Sequence, residues 1–157
     1  MPAPTTYEVR ATAGLGKPAT LTAAGATLPI DVAWGGVPSG HPGPGELLAA
    51  AFAACLLKNL ARCRELIGFD YDEAEVSVIA RRQDTPPRFV EIAYTVRVTT
   101  AEPQRRVDLV HQNLRRFGTV VNTLGSACDV HGTVEAVPPV PSSPSGTSAQ
   151  AEVVEEP

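Results

Sequence analysis

The chain is poor in aromatic residues and in charge, 5% and 19% of its 157 residues, and has no excess of basic side chains. Its formal net charge is −4 and its pI is near 5.3. Nucleic acid and anionic membranes hold proteins through a basic footprint that displaces counterions, so neither is an expected partner. Long apolar runs are also missing: the longest, Leu47 to Leu57, falls well short of the roughly 20 residues that span a bilayer. The opening Met1-Pro2-Ala3-Pro4-Thr5-Thr6 carries no basic region followed by an apolar one, which makes a cytoplasmic location the expectation. Cysteine is scarce and odd in number, three in all, which argues against a structural disulfide framework and leaves transient or catalytic disulfides. No Gly-x-Ser-x-Gly elbow occurs, and Gly43-Pro44-Gly45 lacks the lysine of a phosphate-binding loop, so hydrolase and nucleotide-binding readings have no motif to rest on.

What is present is a hydrophobic content of 43%, enough for one ordinary domain. Tyr7 to Thr12, Ala19 to Thr22 and Thr27 to Val32 read as three short strands, the last two split by Ala24-Gly25. Glycines and prolines from Gly35 to Gly45 forbid regular structure there. From Glu46 to about Ile67 neither residue recurs, alanine and leucine dominate, and Glu46 suits the positive end of a helix dipole, so a helix is expected up to Gly68. Its first three turns are apolar on every side, which means that protein surrounds it. So short a chain has little material for that wrapping, and part of it is expected from a second copy.

Glu73 to Gln83 and Arg88 to Thr100 alternate as a hairpin about Asp84-Thr85-Pro86-Pro87, with Ile92, Tyr94, Val96 and Val98 on one face. Val107, Val110, Leu114 and Phe117 then recur at helical spacing after Pro103. A short helical piece, Thr119 to Ser126, leads to a last strand, Val130 to Val137. The expected organisation is an α+β domain over 1–138 and a disordered tail over 139–157, where Pro, Ser, Gly, Thr, Gln and Glu prevail.

Cys55, in the middle of the apolar helix, is the credible reactive residue. An isolated buried cysteine is ordinarily a small inert hydrophobe. Lys58 and Arg62, three and seven positions on, share its helix face, however, and a nearby cation stabilises the thiolate a nucleophile needs. Cys63 is about 80° round the helix from Cys55 at roughly 100° per residue, so an intrahelical disulfide is excluded. Cys128 and His131 have half of a zinc-like spacing, with only His41 and His111 left to complete a site.

The run Gly43-Pro44-Gly45-Glu46-Leu47-Leu48-Ala49-Ala50, ending in Ala53-Ala54-Cys55, resembles the helix signature of the OsmC/Ohr-like proteins. Pro87-Arg88-Phe89-Val90-Glu91-Ile92 resembles that family's central strand, and Val121-Asn122-Thr123-Leu124 the segment after its second cysteine. The resemblance implies an OsmC/Ohr-like fold, with antiparallel sheets wrapped around two long central helices in an intertwined homodimer. It also implies a thiol peroxidase that needs no cofactor and no metal, works on small hydroperoxides and is restored by a thiol reductant. Cys55 would attack the peroxide and become a sulfenic acid. Two positions depart from the pattern: the second cysteine would fall at Gly118, and an activating arginine near Leu15. The catalytic carboxylate of the peroxidase members would fall at Gly45 or Glu46, and Glu46 equally suits a plain helix start.

Two functions follow. One is thiol-dependent reduction of organic hydroperoxides in a peroxide stress response, with Cys55 as nucleophile and Cys128, Cys63 or an external small thiol as its partner. The other is a non-catalytic dimer that binds a small apolar ligand, with Cys55 as a packing residue.

Overall fold

Two glycine-bearing turns fold the first thirty residues into a meander of β1 (Val9–Gly14), β2 (Lys17–Ala23) and β3 (Ala26–Pro29). Between β2 and β3, Ala24 and Gly25 have φ of 49° and 81°. Positive values at both central residues are what a two-residue hairpin needs to match the strand twist. The structure, a computed structural model, describes residues 1 and 3–141, so most of the tail expected over 139–157 lies outside the described residues.

Helix α1 (Pro44–Ile67) begins two residues before the expected Glu46, because Pro44 occupies its first turn, where a fixed φ helps and a missing N–H is harmless. It ends at Gly68, whose φ of 62° permits the reversal. Gly68 N donates to Arg64 O, and Phe69 N to Cys63 O. Arg106 donates to the carbonyls of Ile67 and Gly68, both at 2.9 Å, and so satisfies acceptors that the helix leaves open.

The expected hairpin is present as β4 (Glu73–Asp84) and β5 (Pro87–Thr99). After α2 (Gln104–Phe117) and α3 (Thr119–Gly125), β6 (Asp129–Val137) returns to pair with β5 in parallel. A parallel pair needs such a long crossover, and the two helices supply it. Gly132 of β6 lies under Tyr94, and a Cβ there would run into the Tyr94 ring and carbonyl.

The core forms where α1 and α2 cover one face of the β4–β5–β6 sheet. Phe52, Leu56, Leu60, Ile92, Val96, Val98, Val107, Val110 and Leu114 are all at most 1% exposed. Phe117, expected on the buried stripe of α2, is 44% exposed instead, and the Arg62 guanidinium lies over its ring at 4.4 Å.

Within one chain α1 is covered on a single side. Ala50, Ala54, Leu57 and Ala61 form a stripe along its other side and are exposed. By length and mean hydropathy α1 is able to cross a membrane, but its apolar character is used here to build the core and this open stripe. Among the described residues, no strand of the β1–β2–β3 sheet packs against any element outside that sheet. The sheet is tied back through the following loop, where Asp31 N donates to Pro42 O at 3.0 Å.

Candidate active site around Cys55

Cys55 lies on the flank of α1, between the buried stripe of Phe52, Leu56, Leu60 and Cys63 and the open stripe of alanines. Its side chain packs against the core yet is half-buried rather than sealed. Cys55 lines an open pocket of about 390 Å³ whose walls include Tyr7, Ala51, Ala54, Lys58, Asn59, Thr119 and Val120. The wall thus comes from three places: α1 itself, the segment before β1, and the first residues of α3.

Asn59, one helical turn beyond, supplies the thiol's polar contact. Its Nδ2 is 3.6 Å from Cys55 Sγ and donates to Cys55 O at 2.9 Å. Of the two cations expected on this face, Lys58 lines the pocket, whereas Arg62 turns to the face of Phe117. Lys58 makes no ion pair among the described residues.

Glu46 sits at the helix start. Its Oε2 accepts from Gly43 N at 3.1 Å, which ties the first turn. Nine positions separate it from Cys55, about 180° round the helix and roughly 13 Å along it, so the two side chains leave α1 on opposite sides.

The other two thiols have separate surroundings. Cys63 is 2% exposed in the core, and burial raises its pKa. Cys128 donates from Sγ to Leu124 O at 3.3 Å and lines a different pocket with Asn122, Ser126 and Val130. Burial, and then the Asp129 charge, raise its pKa also. His131, the possible metal partner of Cys128, is 2.9 Å from Glu91 Oε1. His111 Nε2 is 2.9 Å from the Tyr94 hydroxyl.

Gly118, the position of the absent second cysteine, joins α2 to α3 just before the pocket residue Thr119. A Cβ there would come within 2.8 Å of Val121 Cγ2 and 3.1 Å of Leu114 O. The position is therefore filled by the valine three residues on. Leu15 is fully exposed at the tip of the β1–β2 hairpin. Nothing in the sequence pattern marks Asn59, Tyr7 or the start of α3 as parts of a site, apart from the spacing of four between Asn59 and Cys55.

The architecture has close counterparts among solved structures. An OsmC-like protein from Mycoplasma pneumoniae superposes with a TM-score of 0.71 at 14% identity, covering 85% of this chain and 97% of that one. An organic hydroperoxide resistance protein from Elizabethkingia anophelis does so with a TM-score of 0.70 at 16% identity, covering 87% of this chain and 100% of that one. For the organic hydroperoxide resistance protein OhrB of Bacillus subtilis the values are 0.61 and 18%, with 83% and 98% covered. At such identities these likenesses establish an α+β OsmC/Ohr fold. No curated protein matches the chain significantly. The OsmC-like protein family matches residues 37–131, from the loop before α1 into β6, and the chain belongs to that family.

Proposed function

We propose that the chain is a thiol-dependent reductase of organic hydroperoxides with Cys55 as its nucleophile. The observation that carries this reading is the placement of Cys55: half-buried, open to a pocket, with an amide N–H of Asn59 at its sulfur and Lys58 in the wall. Family membership supports it, as do the structural relatives named organic hydroperoxide resistance proteins. A sulfur enclosed by hydrocarbon alone would have argued against it.

In this reading the Cys55 thiolate attacks the terminal oxygen of the hydroperoxide. The O–O bond breaks, an alkoxide takes up a proton and leaves as the alcohol, and Cys55 becomes a sulfenic acid. Glu46 acts as a helix-start residue and takes no part. The working unit is a cytoplasmic homodimer in which the open stripe of α1 meets its copy. The support for the dimer is that exposed stripe, together with a sheet that, among the described residues, packs on no other element of its own chain.

The purified protein is expected to consume cumene hydroperoxide with a thiol reductant, and Cys55→Ser to abolish this while Cys63→Ser and Cys128→Ser do not. Equal activity in Cys55→Ser refutes the role. The filled position at Gly118 and the presence of Ala51 and Ala54 in the pocket wall favour a second reading, a non-catalytic dimer that holds a small apolar ligand. Its signature is a wild-type protein without turnover whose Cys55 is protected from alkylation by an apolar compound.

A further inference from the structure

We infer that the Cys55 sulfenic acid is resolved by a small external thiol that carries a negative charge, rather than by another cysteine of this chain. The inference rests on the peroxidase reading and names the reductant of that same site. Neither remaining thiol shares the Cys55 pocket. Cys63 belongs to the core stripe of α1, and Cys128 faces a pocket lined by other residues of α3, its S–H held on Leu124 O. Gly118, beside the pocket, has no room for a side chain while Val121 stands within 2.8 Å of its would-be Cβ.

The pocket, meanwhile, suits an incoming molecule. Within one chain the pocket that Cys55 lines has a volume of about 390 Å³. Its lining carries one positive charge, Lys58, and no negative one. Because Lys58 is without an ion-pair partner among the described residues, it can pair with a carboxylate of an entering thiol.

The cycle balances. The external thiolate attacks the Cys55 sulfur, an S–S bond forms, and hydroxide leaves and takes a proton to become water. A second external thiolate attacks the external sulfur of this mixed disulfide, releases a small-molecule disulfide and returns Cys55 as thiolate. The sum is one hydroperoxide and two thiols converted to one alcohol, one water and one disulfide.

The test uses the full-length protein, oxidised with cumene hydroperoxide and then mixed with 3-mercaptopropionate, 2-mercaptoethanol or cysteamine, with intact-mass and peptide mass spectrometry over time. The expected product is a mixed disulfide at Cys55, formed, per thiolate present, about two- to five-fold faster with the anionic thiol than with the neutral one, and slowest with the cationic one. Lys58→Gln should remove that order, so that the anionic and cationic probes, each taken relative to the neutral one in the same variant, converge. A disulfide between Cys55 and Cys63 or Cys128, within or between chains, overturns the inference, as does an equal rate per thiolate for all three probes. Dimedone added in place of thiol separates the two levels. A disulfide joining Cys55 to Cys63 or Cys128, with or without a fraction of dimedone adduct, sinks this inference alone, whereas neither an adduct nor a disulfide at Cys55 sinks the peroxidase reading and this inference with it.

Discussion

A thiol on an alanine-rich helix becomes a nucleophile only so far as its neighbours favour the thiolate. The polar neighbour of Cys55 is Asn59, whose amide reaches both the sulfur and the carbonyl of Cys55. Asn59→Leu is expected to slow alkylation of Cys55 by iodoacetamide at fixed pH by about two- to five-fold, the loss of a weak hydrogen bond of roughly 0.5–1 kcal/mol. An unchanged rate would show that the amide serves the helix backbone alone. Gly118 gives a second test. Gly118→Ala should destabilise the fold by about 1–3 kcal/mol, because the new methyl meets Val121. In a Val121→Ala background that penalty should shrink, and additive penalties in urea denaturation would disprove the contact. At this scale the sequence was only partly legible. Cys55 and Lys58 are correctly read to one helix face by spacing, but the same spacing could not foresee that Arg62 turns to Phe117, because that choice depends on where α2 ends.

At the scale of elements, the legible features are those whose signal is local. Alternation along β5 set Ile92, Tyr94, Val96 and Val98 inward, and the absence of glycine and proline marked the length of α1. The parallel pairing of β6 with β5 was not legible, since alternation identifies a strand and says nothing of its neighbour. That pairing brings α2 over the sheet and makes the contact between Tyr94 and His111. Burial, and then the Arg115 charge, hold the His111 pKa below its ordinary 6.5, while burial raises that of Tyr94. A base whose folded pKa is depressed adds stability that is complete above its unfolded pKa and is lost as pH falls towards the folded value. Denaturation midpoints should therefore decline as pH is lowered below 6.5, and His111→Gln should flatten part of that decline. An identical pH dependence in the variant would place its cause elsewhere.

For the whole molecule, the sequence pattern says more than one chain can satisfy. The all-round apolar start of α1 called for protein on every side, and a single chain covers one side, leaving Ala50, Ala54, Leu57 and Ala61 in the open. Light scattering of the purified protein should give the mass of two chains, and Leu57→Glu, in the middle of that stripe, the mass of one. A single-chain mass for the unaltered protein would contradict the dimer. The central claim, that Cys55 is an ionisable and reachable thiol, has a more direct test. Brief exposure to cumene hydroperoxide with dimedone present, followed by peptide mapping, should label Cys55 ahead of Cys63 and Cys128 and in proportion to peroxide added. Labelling of Cys128 first, or of no cysteine while peroxide remains unconsumed, would contradict it.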